Sequence, residues 1–312
     1  YRTGLSREIA RKKVEYMKKA TVILGGGSAR GLAHIGALEI LQQHYEITSI
    51  IGTSIGAVVG GLYTNGLSPE KILETAESIS TLEKLSFLNI NVLKDGLINS
   101  KKLLKFFEDI TEDASIEFSR LNFAAIAYDL NCQRSIVLDK GNLAQAMLAS
   151  CSLPFVFQPC RINGNLFCDG GIEYPLPMEF ARLFDKKQTV ICVNVLPPVS
   201  AKPEFLVLNT QAEQSKNKLE SAFYYGMKAT ELNQASLAVR SLERVEPNIY
   251  IHAYDPKLNP WDFDKVKNFY RLGLTSTEQA IENSKPNEMQ AILYEIRESS
   301  REIIEHIKER MR

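Results

Sequence analysis

The segment Gly52-Thr53-Ser54-Ile55-Gly56 could present a serine hydroxyl to a substrate. It follows the apolar run Ser49-Ile50-Ile51 and precedes small residues that continue to Gly61. A G-x-S-x-G sequence between a strand and a helix is typical of a nucleophile elbow, a strained turn that lifts the serine clear of the sheet. The helix start also offers unpaired amides and the positive end of its dipole. The sequence therefore predicts Ser54 as a nucleophile, and a loop that matches the pattern by chance is the alternative.

A glycine-rich turn, residues 25–31, connects the buried strand Thr21–Leu24 to a helix. Such a turn at a helix start suits an anion. A dinucleotide site would need a glycine where Arg30 stands and an acid at the end of the next strand, and a P-loop would need Gly-Lys-Ser/Thr; the sequence has neither. An oxyanion hole needs only approachable backbone amides, which Gly25, Gly26 and Gly27 can supply. We expect the strand before Ser54 to lie beside the first strand, so that both turns meet at one sheet edge.

A third candidate is Asp169, which stands at the end of a strand over Leu166–Cys168 and is followed by Gly170 and Gly171. The preceding Asn163-Gly164 pair predicts a hairpin turn. An acid followed by two glycines is an ordinary turn in many proteins. It can also hold a carboxylate where two backbones approach closely. Both interpretations stay open from the residues alone.

The elements that must position these residues alternate between strands and helices. Further strands are predicted at 122–129, 134–138, 188–195 and 248–252, and helices at 68–85, 100–111, 142–150, 262–283 and 287–311. The insertion at about 66–111 is either a surface that covers the substrate or another core layer, and the sequence does not favour one. Residues 197–203 form the one clear linker, beyond which the chain becomes mostly helical.

Composition limits the function classes. The 312 residues are 45% hydrophobic, enough for one large domain with an appended helical part. A net charge of zero gives no indication of a nucleic-acid partner. No apolar run approaches the length of a membrane span. The five cysteines lack C-x-x-C spacing, so we expect free thiols in a reducing, cytoplasmic compartment rather than disulfides or a metal site. The sequence starts at Tyr1, so whether a signal or anchor precedes it stays open.

The two ends of the chain carry the expectations about partners. Residues 1–20 hold seven basic and two acidic side chains, which favours a solvated arm and leaves contact with anionic lipid at a membrane surface as the alternative. The predicted terminal helix is amphipathic with charges of mixed sign, which favours packing on the core or a homodimer contact over membrane insertion.

Taken together, these motifs resemble the patatin-like phospholipase family in its bacterial branch. The resemblance rests on the glycine turn continued through Gly36, on the Ser54 elbow, on the run 149–154 (Ala-Ser-Cys-Ser-Leu-Pro) and on Asp169-Gly170-Gly171. They occur in the family's order and cover residues 20–195, whereas 204–312 match weakly. The resemblance implies a three-layer α/β/α fold with a mostly parallel central sheet and an additional helical C-terminal part. The domains would be a basic arm at 1–20, a catalytic domain at 21–196 and an extension at 197–312 packed on it.

The resemblance also implies hydrolysis of acyl esters of phospholipids or lysophospholipids by a serine–aspartate dyad, with no cofactor or metal. Ser54 would be the nucleophile, Asp169 the base and Gly25–Gly27 the oxyanion hole, with supporting positions at Arg30, Gly31, Gly52, Gly56, Gly170 and Gly171. Of the four histidines only His252 follows Ser54 and Asp169 in the order of a triad. An α/β-hydrolase elbow normally follows several strands, whereas Ser54 follows one strand–helix unit, so a dyad is favoured over a triad.

Two other function classes remain open. An acyl-carrier-protein transacylase shares the sheet and the serine elbow, but it would need a histidine partner and usually an arginine for a carboxylated acyl group; transfer to a thiol carrier would identify it. A non-catalytic lipid-binding protein on the same fold is the second alternative. It would be recognised if a fluorophosphonate failed to label Ser54.

Overall fold

The computed structural model describes residues 17–81, 100–199 and 218–284. Several predicted segments lie wholly or partly outside these ranges: most of the basic arm, the irregular stretch at 86–98, residues 200–203 of the linker and the terminal helix at 287–311. Within the described ranges the chain forms one eight-stranded sheet with helices on both faces.

The sheet has the order β5-β6-β3-β2-β1-β7-β8, and β4 pairs with β3 beside this path. Strands β1, β2, β3, β7 and β8 run parallel, while β4, β5 and β6 are antiparallel to their neighbours. The strand bounds are β1 Lys19–Leu24, β2 Glu46–Thr53, β3 Asn122–Asp129, β4 Arg134–Leu138, β5 Cys160–Ile162, β6 Asn165–Asp169, β7 Thr189–Asn194 and β8 Ile249–His252.

Seven α-helices surround the sheet in the described part of the chain. They are α1 Ala33–His44, α2 Ile55–Thr64, α3 Pro69–Thr81, α4 Lys101–Thr111, α5 Leu143–Cys151, α6 Lys218–Arg244 and α7 Val266–Ser284. A 3₁₀ turn at Ser28–Leu32 precedes α1, and another at Gly170–Ile172 follows β6. The Asn163-Gly164 turn between β5 and β6 has positive φ at both residues, 49° and 88°, as a tight hairpin of this type requires.

The alternation of β1 shows how the layers form. Val22 and Leu24 face one side of the sheet, where they join apolar residues of α1, α2, α5 and α7. Ile23 faces the other side and packs with residues 176–196 and with Ala235 and Ala238 of α6. Successive residues of a strand point to opposite faces, so a strand buried on both sides is apolar throughout. The predicted three-layer α/β/α fold with a mostly parallel sheet is confirmed.

Residues 218–284 of the C-terminal part belong to the same sheet and core. β8 continues the sheet as the parallel neighbour of β7, and α7 packs along α1. A close approach lies at this helix contact, since a Cβ on Gly273 would stand 1.9 Å from the carbonyl oxygen of Ala33. The helix predicted at 262–283 begins at Val266 and ends at Ser284, after a short turn.

Candidate active site

Ser54 stands on a strained turn between β2 and α2. Its backbone angles are φ 56° and ψ −127°, a region that non-glycine residues rarely occupy. The flanking glycines allow the turn, because a Cβ on Gly56 would lie 2.3 Å from the carbonyl oxygen of Leu24 and one on Gly52 would lie 2.5 Å from the carbonyl carbon of Gly56. The strand, turn and helix therefore pack backbone against backbone, and the serine points out of the sheet at the start of α2.

Strand β3 brings Asp169 to this serine. Strand β4 pairs with one edge of β3, along residues 125–129. The residues of β3 that pair with β2 and with β6 overlap this stretch, so β2 and β6 must both lie along the other edge of β3. Thr53 is the last residue of β2 and pairs with Ile126, and Asp169 is the last residue of β6 and pairs with Ala127. Since β6 runs antiparallel to β3, the two strands end head to head. Ser54 and Asp169 meet there, although 115 positions separate them in the chain.

The two side chains form a direct hydrogen bond. Ser54 Oγ donates to Asp169 Oδ2 at 2.5 Å, and the amide of Gly171 donates to Oδ1 at 2.7 Å. Asp169 is 1% exposed. Burial raises the pKa of Asp169 to about 6, although the hydrogen bonds from Ser54 and Gly171 favour the ionised form. Gly170 has no room for a side chain, because a Cβ there would stand 2.2 Å from the carbonyl oxygen of Ile126.

Ser150 contacts the backbone of the Ser54 turn, a role that the sequence motifs do not predict. Its hydroxyl accepts from the amide of Ser54 at 2.9 Å and donates to the carbonyl oxygen of Ile126 at 2.6 Å. It is fully buried in the last turn of α5. Ser150 lies in the run that carried the family resemblance, but no local pattern indicates that it contacts Ser54, 96 positions away.

The glycine loop lies directly against Ser54. A Cβ on Gly26 would stand 3.3 Å from the Cβ of Ser54. However, the amide of Gly25 donates to Val193 at 3.1 Å and that of Gly26 donates to Pro175 at 2.8 Å. Both amides are thus occupied, so of the three expected oxyanion donors only Gly27 keeps an amide that is free to donate. Among the described residues, neither the Gly27 nor the Ser28 amide has a hydrogen-bond acceptor, and both residues are half-buried at the cavity. Ser28 is therefore a second candidate donor.

Two further motif residues, Gly31 and Arg30, connect this loop to neighbouring elements of the fold. Gly31 packs against α2, where a Cβ would stand 2.0 Å from Cγ2 of Ile55. Arg30 is 5% exposed. Its guanidinium contacts Glu231 of α6, donates from Nε to the carbonyl oxygen of Leu258 at 3.2 Å and lies 5.0 Å from the ring centre of Tyr254.

No histidine in the described ranges bonds to Ser54 or Asp169. His34 is fully buried and its Nε2 contacts the carbonyl oxygen of Gly25 at 2.7 Å; burial lowers its pKa to about 4, although this hydrogen bond opposes the shift. The Nε2 of His252 contacts the carbonyl oxygen of Leu196 at 2.9 Å, and its ring stacks on Tyr250 and Tyr254. His44 is exposed at the end of α1, and His306 lies outside the described residues.

Ser54 and Asp169 line a cavity of about 580 Å³. One side lies between helices α2 to α5 and is apolar, with Leu62, Ile72, Ala76, Leu103, Phe107 and Val156. The other side lies beside α6 and residues 259–266, with Phe223, Met227, Lys228, Glu231, Gln234 and Trp261. Helices α3 and α4 of the insertion thus line the cavity, and their Ile72 and Phe107 also belong to the buried core. The described helices of the insertion therefore contribute to the core, and whether they cover a substrate stays a prediction.

All five cysteines are free, with Cys160, Cys168 and Cys192 buried. Within 17–81, 100–199 and 218–284, no three His, Cys, Asp or Glu side chains are grouped to hold a metal ion. Over the same ranges, no helix has the length and apolar character to cross a membrane.

Comparison with known proteins places these features in a family. The family model described as patatin-like phospholipase matches residues 22–182. An uncharacterised NTE family protein of Mycobacterium tuberculosis is 36% identical over 161 residues, which are 51% of this chain and 44% of that protein. Patatin-like phospholipase domain-containing protein 6 of Homo sapiens is 30% identical over 182 residues, covering 56% of this chain and 13% of that protein. The chain spans less than half the length of these curated relatives.

Among solved structures, the crystal structure of VipD from Legionella pneumophila is similar with a TM-score of 0.46 and 14% sequence identity, covering 85% of this chain and 67% of that one. The family model ends at residue 182, before α6, β8 and α7 begin. Arg30 lies inside the matched segment, whereas its partners Glu231, Tyr254 and Leu258 lie outside it.

Proposed function

The chain belongs to the patatin-like phospholipase family, and from this membership and the geometry of the cavity we propose that it is a serine acyl-ester hydrolase acting on phospholipids or lysophospholipids. The observation that carries the proposal is the hydrogen bond from Ser54 to the buried carboxylate of Asp169 at the floor of an apolar cavity. A hydroxyl held against a base at 2.5 Å is positioned for nucleophilic attack.

In the proposed first step, Ser54 Oγ attacks the carbonyl carbon of the ester and its proton passes to Asp169 Oδ2. The carbonyl oxygen becomes an oxyanion that accepts hydrogen bonds from the amides of Gly27 and Ser28. The tetrahedral intermediate collapses, the C–O bond to the alcohol breaks, and the alcohol leaves with the proton from Asp169. In the second step water attacks the acyl-enzyme, Asp169 accepts a water proton, and Ser54 leaves by recovering its proton, which releases the fatty acid.

The surroundings of Asp169 suit this role. A free carboxylate is a weak base, but burial raises the pKa of Asp169 to about 6, closer to a neutral working pH. The Gly171 amide holds Oδ1, so that Oδ2 faces the serine hydroxyl. Ser150 holds the amide of Ser54 and so helps to keep the strained turn in place. These contacts fix the dyad before a substrate arrives, which is what an efficient proton transfer requires.

The cavity supports a lipid substrate. The side between α2 and α5 offers apolar side chains to a hydrocarbon chain, and burial of each CH₂ group there is worth about 0.8 kcal/mol. Ser54 and Asp169 lie on the wall of the same cavity, so a chain bound in it would place its ester carbonyl near the nucleophile. The polar side chains beside α6 leave a second side for the alcohol part of the ester.

Ester hydrolysis by matched variants tests the proposal. Purified wild-type protein, Ser54→Ala and His252→Ala are compared on phospholipids, lysophospholipids, acylglycerols and short nitrophenyl esters, and each is treated with a fluorophosphonate probe. We expect wild type and His252→Ala to release fatty acid from lysophospholipid or phospholipid and to be labelled at residue 54. The kcat of Ser54→Ala should be lower than that of wild type by at least about 10³-fold, because the variant lacks the nucleophile.

Three results would contradict the proposal. A wild-type protein that neither hydrolyses any ester nor reacts with the probe would indicate a non-catalytic lipid-binding protein. Acyl transfer to a carrier thiol in preference to water would indicate the transacylase alternative. A folded His252→Ala protein that loses most of its turnover would replace the dyad with a triad.

A further inference from the structure

We propose that Glu231 of α6 is a positioning residue for the active site: it holds Arg30, and through Arg30 it keeps the amides of Gly27 and Ser28 directed at the substrate carbonyl. The inference rests on the proposed function of these two amides. It assigns to the C-terminal part, beyond the matched segment 22–182, a role in the chemistry itself.

Arg30 is the anchor of the glycine loop. Its side chain is 6% exposed, and among the described residues its guanidinium has three partners, all beyond residue 230: the Glu231 carboxylate, the Leu258 carbonyl oxygen and the Tyr254 ring. The planar guanidinium can donate in several fixed directions at once, so these partners set both its position and its orientation. In the part of the chain that the structure describes, no hydrogen bond joins these three partners to Ser54 or Asp169. We therefore infer that they act on the site through the backbone of Arg30.

That backbone is coupled directly to the proposed oxyanion donors. The amide of Arg30 donates to the carbonyl oxygen of Gly27 at 3.2 Å, which closes the turn that contains Gly27 and Ser28. The next residue back, Ala29, donates to Pro260 at 3.0 Å, again a residue of the C-terminal part. Ser28 has φ 54° and Gly27 has φ 157°, which are uncommon angles. A turn with such angles keeps its shape only when its surroundings hold it.

Glu231 is the charged centre of this arrangement. Its two carboxylate oxygens are divided between Arg30 and Lys228, whose Nζ lies 2.7 Å from Oε2. The Glu231 side chain is 12% exposed. Burial by itself would raise the pKa of Glu231, but the two cations outweigh it and hold that pKa below the usual value. Glu231 therefore stays ionised near neutral pH, and its loss would leave the buried Arg30 without its counter-charge.

Kinetics of matched variants test the inference. Glu231→Gln keeps the size of the side chain and removes its charge, and Glu243→Gln makes the same change at an exposed position of α6. We expect Glu231→Gln to lower kcat by about 10- to 100-fold with a KM change of less than about 3-fold, because the amides bind charge that appears only in the transition state. Glu231→Asp should recover part of kcat, and Glu243→Gln should match wild type.

A double variant separates positioning from general stability. In Arg30→Met/Glu231→Met the buried pair is replaced by apolar side chains of similar length, which commonly preserves stability. We expect its Tm to lie near that of wild type while kcat stays as low as in Glu231→Gln. A double variant with wild-type Tm and wild-type kcat would overturn the inference, since Glu231 would then contribute only to folding.

Amide hydrogen exchange supplies a readout that does not depend on turnover. Exchange in a peptide spanning residues 25–32 should accelerate in both Glu231→Gln and the double variant, but not in Glu243→Gln. Unchanged exchange in the variants would contradict the inference even if activity fell. If wild type shows no hydrolysis and no labelling of Ser54, the proposed function fails, while the exchange result still decides whether Glu231 holds the loop.

Discussion

Asp169 is a residue whose surroundings favour chemistry at the expense of stability. It lies 1% exposed at a strand end, with one carboxylate oxygen on the Ser54 hydroxyl and the other on the Gly171 amide. Two hydrogen bonds do not replace the hydration that a carboxylate has in water, so its pKa rises to about 6. Ionisation of Asp169 therefore costs the folded state more free energy than the unfolded state, a shift that its proposed role as the base would require.

The first prediction at this scale concerns pH and activity. In the proposed mechanism the ionised form of Asp169 is the base, and burial raises its pKa to about 6. We expect kcat/KM of the wild type to rise about tenfold per pH unit below pH 6 and to level off above it. A rate profile of a neutral short-chain ester between pH 4.5 and 8.5 measures this. A profile that stays flat down to pH 4.5 would show that the pKa of Asp169 is not raised in the working enzyme.

The second prediction concerns Asp169→Asn. The folded-state pKa is raised, so the stability that Asp169 contributes is present at low pH and is lost as the pH rises through about 6. An asparagine at this position stays neutral at every pH, so the variant does not lose this stability as the pH rises. We expect the variant to be nearly inactive yet more stable than wild type by about 1–3 kcal/mol at pH 8. Urea unfolding at pH 8 and at pH 4 checks this, and the difference should disappear at the lower pH.

At the scale of elements, the glycine turn is confined on three sides. Its first two amides bond to Val193 and Pro175, its third residue faces Val195, and its far end packs on Ile55 of α2. A Cβ on Gly27 would stand 2.6 Å from Cγ2 of Val195, at a φ of 157°. Val195 thus prevents the loop from moving toward β7. Gly27 and Ser28, whose amides have no acceptor among the described residues, line the cavity.

The third prediction follows from this confinement. We expect Gly27→Ala to lower kcat by on the order of 10²-fold, the effect of losing one preorganised donor, with a smaller change in KM. Adding Val195→Ala relieves the contact and should recover Tm but not kcat, because the φ of an alanine still displaces the amide. Gly164→Ala is the control, since Gly164 also has a positive φ, of 88°, but lies in the exposed hairpin with nothing near its Cβ position. Wild-type kcat in Gly27→Ala would exclude the loop as oxyanion hole.

At the scale of the whole molecule, the cavity exists because three parts of the chain meet above the carboxyl ends of the parallel strands. The elbow and the Asp169 turn form its floor, α3 and α4 form one wall, and α6 with residues 259–266 forms another. Parallel sheets bind ligands at this end because the strand-to-helix turns collect there. No one of these parts encloses the cavity by itself.

The fourth prediction uses the apolar wall. Ala76 of α3 lines the cavity, and a larger side chain there would occupy the space proposed for the acyl chain. We expect Ala76→Phe to lower kcat/KM for long-chain lysophospholipid by about tenfold or more while a short nitrophenyl ester is hydrolysed at near the wild-type rate. Ser78→Phe, on the exposed side of α3, is the control. An equal loss for both esters would place the acyl chain elsewhere.

The sequence by itself determined the local features. Strand alternation, helix spacing and turn residues predict most strands and helices of the described ranges near their observed positions, although they set no bounds for α6. The confirmed family and fold class follow from motifs of a few adjacent residues each. Ser54 and Asp169 were singled out in the same way, because a strained turn and an acid followed by two glycines are visible in the residues that form them. Such signals depend only on backbone geometry over a short stretch, which neighbouring residues control.

Only the tertiary structure decided how these pieces meet. The head-to-head arrangement of β2 and β6 along β3 brings Ser54 and Asp169 together, and no residue near either one encodes that register. Likewise, the loss of Gly25 and Gly26 as free donors depends on the carbonyl oxygens of Val193 and Pro175, and the anchoring of Arg30 depends on Glu231. A hydrogen-bond partner more than a hundred residues away is set by strand pairing and helix packing, and the local sequence carries no record of either.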